Sequence, residues 1–321
     1  MVQNFAAAEA SDRFSPIFVV GCERSGTTLL RSILDAHSRI AMTPETHFFS
    51  TWFPKGDLRL RSRFRERLIL YAKSDHFAQL NYPPEQFLAD VAEWGREQNA
   101  GAIFAHILQT YQTSCKKPRV GEKTPYHYEC VATFLRLFPN ARIIWMLRDP
   151  RAVANSLKKT PWAGHRSPLG LAFQWYHSTM LWSKWRDHPN VLTIRYEDLV
   201  NTPDVTVRRV LSFVGEPYEE TLWLRRQKID DPQRGLTPWA REHYQSARRP
   251  ITKSSLDAWH DQLGPRELRT IEAICTHGMR QAGYHPTKPV PSFPSRVTGH
   301  LLVPGRAIRQ RFKYLLREEP I

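Results

Sequence analysis

The sequence predicts an α/β protein, a P-loop-type parallel sheet flanked by helices in a single domain that continues into a basic C-terminal extension. Three observations carry the prediction. Apolar runs of strand length recur at Ile17 to Val20, Arg119 to Glu122, Ala141 to Leu147 and Val191 to Tyr196, each followed by helical periodicity. The first run enters a loop with Gly21 and Gly26 at its ends and Ser/Thr residues opening a helix. The third run ends in the charged turn Arg148-Asp149-Pro150, at the sheet edge where open α/β sheets bind ligands.

Taken in order, Pro16 to Leu30 has the layout of a phosphate cradle, with backbone N–H groups of loop and helix start converging on an anion. Thr27 stands where a nucleotide hydrolase carries its phosphate-gripping Lys, and the cation has moved into the loop as Arg24. That exchange argues against cleavage of ATP or GTP. Leu29, Leu30, Ile33 and Leu34 form one face of a helix ending near His37, and a short apolar run, Ile40 to Met42, leads to Glu45. Leu169, Phe173, Tyr176 and Met180 mark a long amphipathic helix. Thr202-Pro203-Asp204 reads as a helix start (cap, N1 proline, acidic first turn) with Gly215 as its stop. Leu268, Ile271, Cys275 and Met279 make a late helix closed by Gly283. The expected organisation is a tail at 1–15, the α/β domain at 16–284, and a proline-punctuated extension at 285–321 whose segment Arg306 to Arg317 is a basic amphipathic helix.

Composition narrows the class. With 321 residues, 41% hydrophobic content and 10 Trp, the chain can bury a substantial core. No apolar run approaches the roughly 20 residues of a membrane span. The N-terminal stretch has no apolar signal core, and the four cysteines lack CxxC spacing, so a reducing cytoplasmic setting without metal is expected. An excess of 46 basic over 31 acidic residues, +15, predicts an anionic partner: nucleotide, nucleic acid, acidic glycan or lipid head group. No docking motif for nucleic acid is present, and the basic residues cluster at strand ends rather than along one face.

Arg148 can clamp a phosphate through two nitrogens, and Ser156 follows eight residues later, about two helical turns on. The plainer reading, an Arg148 bridge to Asp149 or Glu197, has equal weight on the residues alone.

Together the two anchors resemble the sulfotransferase family that uses 3′-phosphoadenosine 5′-phosphosulfate (PAPS). The resemblance rests on Arg24-Ser25-Gly26-Thr27-Thr28 for the 5′-phosphosulfate and on Arg148 with Ser156 for the 3′-phosphate, and covers roughly Pro16 to Gly283. Leu34-Asp35-Ala36-His37 and Glu45-Thr46 are similar to the tyrosylprotein branch and related bacterial enzymes. It implies in-line sulfuryl transfer from PAPS to a hydroxyl of a peptide tyrosine, carbohydrate or lipid, with no metal. Glu45 is implied as general base, Lys123 as the cation on the sulfuryl bridge, Tyr196 as a nucleotide contact, and Lys253 as part of a late loop closing over the nucleotide. His47 is the second candidate base, at a place where the tyrosine branch has Arg. Glu122 is expected to hold Arg24 or Lys123. Thr160 replaces another family Arg, for which Lys158 or Lys159 would compensate.

Arg59, Arg61, Arg63, Arg65 and Arg67 spread around a helix and read first as a solvated face, although an acidic acceptor could meet them. Trp52, Phe53, Trp162 and Trp239 read as packing or as stacking surfaces for an acceptor. Peripheral membrane contact by the basic tail and a homodimer are left open. The competing functions are a small-molecule kinase using ATP and a basic nucleic-acid-binding module.

Overall fold

The computed structural model describes residues 14–54, 61–93, 99–228 and 238–288. The described residues up to Arg148, with Met180–Ala258, form one compact unit, and Asp149–Thr179 with the described residues from Trp259 onward form a second.

The first unit is built on five parallel strands: β1 (Ile17–Gly21), β2 (Ile40–Met42), β3 (Arg119–Lys123), β4 (Arg142–Leu147) and β5 (Val191–Arg195), in the spatial order β2-β3-β1-β4-β5. Four of these are the expected strands. The fifth, β2, is three residues at the sheet edge, too short to show a period in sequence. The chain leaves central β1 to one side and later returns to the other, so the strand order reverses beside β1. Loops diverge at such a point and open a crevice at the carboxyl ends of the strands.

The helices are α1 (Thr27–Asp35), α2 (Arg61–Ala72), α3 (Asp75–Ala78), α4 (Pro84–Ala92), α5 (Ala100–Ser114), α6 (Val131–Leu137), α7 (Pro150–Leu157), α8 (Pro168–Trp185), α9 (Tyr196–Asn201), α10 (Pro203–Val214), α11 (Leu222–Arg226), α12 (Pro238–Ser246), α13 (Ser254–Asp257), α14 (Trp259–Gln262) and α15 (Pro265–Gln281). Alternate residues of β1 face opposite ways. Ile17 and Val19 pack with Leu30, Ile33 and Leu34 of α1 and with Val207, Val210 and Leu211 of α10. Phe18, between them, stacks on Phe134 of α6 at 3.9 Å and faces Phe104 of α5 at 6.2 Å. Both faces of the sheet are thus covered, which is why β1 and β4 read as continuous apolar runs. Helix α10 begins at Pro203 and stops at Gly215 as expected, but Thr202 makes no side-chain cap and instead donates to the Asp198 carbonyl.

In the second unit, Arg151 of α7 pairs with Asp149 and with Glu272 of α15, and its guanidinium lies 4.0 Å from the Trp259 ring centroid. The proposed basic helix at Arg306 to Arg317 and the tail at 1–13 lie outside the described residues.

Gly21 sets the turn from β1 into the loop at φ 147°, and a Cβ there would sit 2.4 Å from the Met146 carbonyl oxygen of β4. A backbone neighbour cannot yield as a side chain can. Gly21→Ala should therefore lose about 2–4 kcal/mol of stability from combined backbone strain and overpacking, measurable as a lowered midpoint in urea denaturation. A midpoint equal to that of the natural protein would show the turn is not constrained in this way.

Candidate active site at the strand ends

Each of the five strands delivers one chemically distinctive residue to the same edge. In spatial order these are Glu45 beyond β2, Lys123 at the end of β3, Arg24 beyond β1, Arg148 beyond β4 and Tyr196 directly after β5. A row of three cations lies between a carboxylate and an aromatic ring.

The loop between Gly21 and α1 is shaped as a cradle. Ser25 N donates to the Cys22 carbonyl at 3.1 Å, closing a turn, and Arg24 takes a left-handed backbone at φ 67°. Helix α1 starts from Gly26 with no side-chain cap and no acidic residue in its first turn. Its first N–H groups and positive dipole end therefore stay available to an anion. Ser25 is fully buried, and its Oγ has no hydrogen-bond partner among the described residues. A buried hydroxyl of that kind costs about 1–3 kcal/mol unless something meets it, and a phosphate oxygen is the chemistry the surrounding N–H groups favour. Gly26 is required for a second reason. With φ at 89°, a Cβ would come within 2.3 Å of the Tyr196 ring.

Lys123 lies on the face of β3 that meets α1. Its Nζ donates to Glu45 Oε1 and, at 3.2 Å, to Thr28 Oγ1. Burial is the largest single effect and works against its charge, but the Glu45 carboxylate and Tyr244 together lift the ammonium above its ordinary value. Burial would likewise raise Glu45. Lys123 and then His47, whose Nε2 donates to Glu45 Oε2 at 3.1 Å, hold the carboxyl well below the usual range instead. His47 has a left-handed backbone at φ 49°, and its ring lies 4.3 Å from that of His76.

Glu122 faces the other side of β3 and does not hold Arg24 or Lys123 as expected. It accepts from Thr46 N (3.2 Å), Thr46 Oγ1 (3.0 Å), Thr124 Oγ1 and His127 Nδ1 (2.9 Å). The reason is the strand period, which points adjacent residues to opposite faces. Its effect is to tie down the loop that carries Glu45.

Arg148 is buried beyond the end of β4. Its Nη1 donates to the Arg24 carbonyl at 2.9 Å, its Nη2 to the Ser255 carbonyl at 2.6 Å, and its guanidinium stacks 4.2 Å from the Tyr196 ring centroid. Tyr196 OH shares a 2.8 Å hydrogen bond with Ser255 Oγ. Burial, followed by repulsion from Arg148, pushes Arg24 down to about 10. Two guanidinium groups sharing one site invite an anion between them. The late basic loop does reach this edge, but through Ser255. Lys253 is exposed at the N-terminus of α13.

Ser156 is half-buried on α7 of the second unit, whereas Arg148 belongs to the first, so neither unit by itself brings the two together. Lys158 is paired with Glu267 at 2.7 Å within the second unit. Arg63 and Arg65 on α2 are exposed, consistent with a solvated face, and Arg59 lies outside the described residues. Among the described residues no group of His, Cys, Asp and Glu could hold a metal ion, and no helix is long and apolar enough to cross a membrane.

A family model described as "Sulfotransferase family" matches residues 16–220, more than half of the chain. The chain belongs to the sulfotransferase family. Among its relatives, protein-tyrosine sulfotransferase A of Caenorhabditis elegans is 26% identical over 88% of this chain and 70% of that protein. The protein-tyrosine sulfotransferase of Drosophila melanogaster is 25% identical over 86% of this chain, which spans about half (53%) of that relative's length. Among solved structures, the sulfotransferase domain of the Synechococcus PCC 7002 olefin synthase superposes with a TM-score of 0.60, at 21% identity, over 85% of this chain and 97% of that domain. The shared fold is the helix-flanked parallel sheet described above.

Sequence reasoning missed three residues of the sulfotransferase site: His243 and Tyr244 on α12, and Ser255. His243 Nε2 lies 3.0 Å from Arg24 Nη1 and 3.2 Å from Thr28 Oγ1. The Tyr244 ring centroid is 5.3 Å from Lys123 Nζ and 5.2 Å from the Arg31 guanidinium. His243 and Tyr244 come from a stretch without strand or loop motifs, more than 200 residues from the cradle in sequence, so no local signal marks them, and Ser255 lies just past the late basic loop.

The Glu122 anchorage predicts a pH response. Burial would raise this carboxyl, but His127 and the surrounding donors depress it below its ordinary 4.5. A depressed carboxyl contributes stability that is present above its unfolded value and is lost as pH falls through its folded one. Stability should therefore drop as pH is lowered from about 5 to 3, and Glu122→Gln should flatten that slope while lowering stability at pH 7 by about 1–3 kcal/mol. Denaturation midpoints measured across this range check it. An unchanged slope would show that Glu122 does not anchor the loop.

Proposed function

We propose that this enzyme transfers the sulfuryl group of PAPS to an acceptor hydroxyl of a peptide tyrosine, a carbohydrate or a lipid. The observation that carries the reading is the strand-end row Glu45, Lys123, Arg24, Arg148, in which one carboxylate flanks three cations beside a helix N-terminus with a partnerless buried hydroxyl, Ser25. The names of the tyrosine sulfotransferase relatives favour a peptide tyrosine acceptor.

Sulfuryl transfer, like phosphoryl transfer, passes through a loose transition state with spread charge, so the protein mainly aligns and stabilises. In this reading Ser25, Gly26, Thr27 and Thr28 supply N–H and hydroxyl donors to the 5′-phosphosulfate, with Arg24 beside them. Arg148, already stacked on Tyr196, takes the 3′-phosphate, and Ser156 keeps the role that the family resemblance gives it. Glu45 accepts the acceptor's hydroxyl proton.

The ion pair qualifies that last step. While Lys123 holds Glu45 well below the usual carboxylate range, Glu45 is a poor base. Lys123 Nζ reaches toward the cradle through Thr28 at 3.2 Å, so one small rotation can hand it from the carboxylate to the bridging oxygen of the donor. The same movement stabilises the departing phosphate and restores basicity to Glu45. Both groups come into action only when the donor is in place.

In titration calorimetry, adenosine 3′,5′-bisphosphate should bind without Mg²⁺ and ATP should bind much more weakly; tighter, magnesium-dependent ATP binding would indicate a kinase instead. Arg148→Ala should weaken bisphosphate binding about 10- to 100-fold, the value of a charge-assisted pair. Glu45→Ala should keep that binding and lose about 10²- to 10⁴-fold in turnover with radiolabelled donor and separate peptide, glycan and lipid acceptors. Normal turnover in Glu45→Ala would remove it as the base.

A further inference from the structure

His243 plays no part in the chemistry above, yet its side chain closes on the cradle. An arginine can only donate, so the ring nitrogen facing Arg24 Nη1 at 3.0 Å is an acceptor. Thr28 Oγ1 accepts from Lys123, leaving its own hydrogen to point at the same Nε2, 3.2 Å away. Arg24 Nη1 also lies 3.4 Å from Nδ1; with the nearer Nε2 as the acceptor, the hydrogen of a neutral imidazole sits on Nδ1. The charged and titratable groups facing the ring are Arg24 from the loop, Lys123 from β3, Glu45 from the loop after β2, and Tyr244 from its own helix, 6.4 Å between ring centroids. Burial, then Arg24 and Lys123, push the ring down to about 3, with Glu45 opposing them weakly. His243 is therefore held neutral first by burial and then by the same two cations that would grip the donor.

We propose that His243 is a ligand of the phosphosulfate group: as that anion binds between Arg24 and Lys123, Nε2 releases the Arg24 hydrogen bond, takes a proton from solvent and donates it to an anion oxygen. The idea rests on the sulfuryl-transfer reading and adds a proton uptake to it. Negative charge arriving within hydrogen-bond reach offsets both cations and gives a buried imidazolium the opposite charge that it otherwise lacks. The proton ends on Nε2, and no bond in the donor changes. The imidazolium adds a third positive donor where the departing phosphate develops charge.

The test is calorimetry of adenosine 3′,5′-bisphosphate binding at pH 7 in buffers of different ionisation enthalpy, with the natural protein and His243→Gln. The protein should take up roughly 0.5–1 more proton per site than the variant, and the variant should bind about 5- to 50-fold more weakly. Equal proton counts, or equally tight binding by the variant, would overturn the role of His243. Absence of any binding by the natural protein would instead overturn the donor reading beneath it. Should the variant fail to fold, ¹⁵N spectra of the histidine-labelled natural protein decide the matter. The Nε2 resonance should move from the unprotonated to the protonated range on adding the nucleotide, and an unmoved resonance contradicts the proposal.

Discussion

The ammonium of Lys123 sits where water does not reach it, and it stays charged there because Glu45 answers it. Removing such a group from water costs several kcal/mol unless partners replace the solvent. Arg31 and Arg148 add two more buried guanidinium groups at the same strand ends. Arg31 is absorbed by the Thr43 and Met42 carbonyls, and Arg148 by the Arg24 and Ser255 carbonyls and the Tyr196 ring. Backbone carbonyls solvate a cation without neutralising it. The edge therefore keeps a positive field that a polyanionic nucleotide can satisfy, and Glu45 is the carboxylate in direct contact with Lys123.

That arrangement explains why the surrounding architecture is strict. Gly21 and Gly26 let the loop pass close to Met146 and Tyr196. Glu122, on the opposite face of β3 from Lys123, pins Thr46 and Thr124, so Glu45 and its cation are held by two neighbouring residues of one strand. A continuous line of hydrogen bonds then runs from His47 through Glu45, Lys123 and Thr28 to His243 and Arg24. A change at one end alters the protonation preference of the next group along.

Much of this was legible in the sequence because strand ends write themselves locally. The cradle, the Arg148 turn, Lys123 after its short strand and Tyr196 after the last one each follow an apolar run, and the sheet order sets them side by side. What was not legible depends on the third dimension. β2 is too short to show a period. The partners of Glu122 follow from which face of β3 it occupies, and the equal weight given to an Arg148 bridge with Asp149 or Glu197 could not foresee stacking on Tyr196. His243 and Ser255 arrive from late segments whose only mark is where α12 and α13 fold back. The late basic loop was found, and the residue beside it that meets Arg148 and Tyr196 is Ser255.

In the proposed mechanism Lys123 holds Glu45 first and the donor second. A crystal structure of the complex with adenosine 3′,5′-bisphosphate tests it most directly. The account predicts the 5′-phosphate on the N–H groups of Ser25 to Thr28, with Lys123 Nζ turned onto a phosphate oxygen and out of hydrogen-bond reach of Glu45. A nucleotide bound elsewhere, or a Lys123 still seated on Glu45 beside a filled cradle, would contradict it.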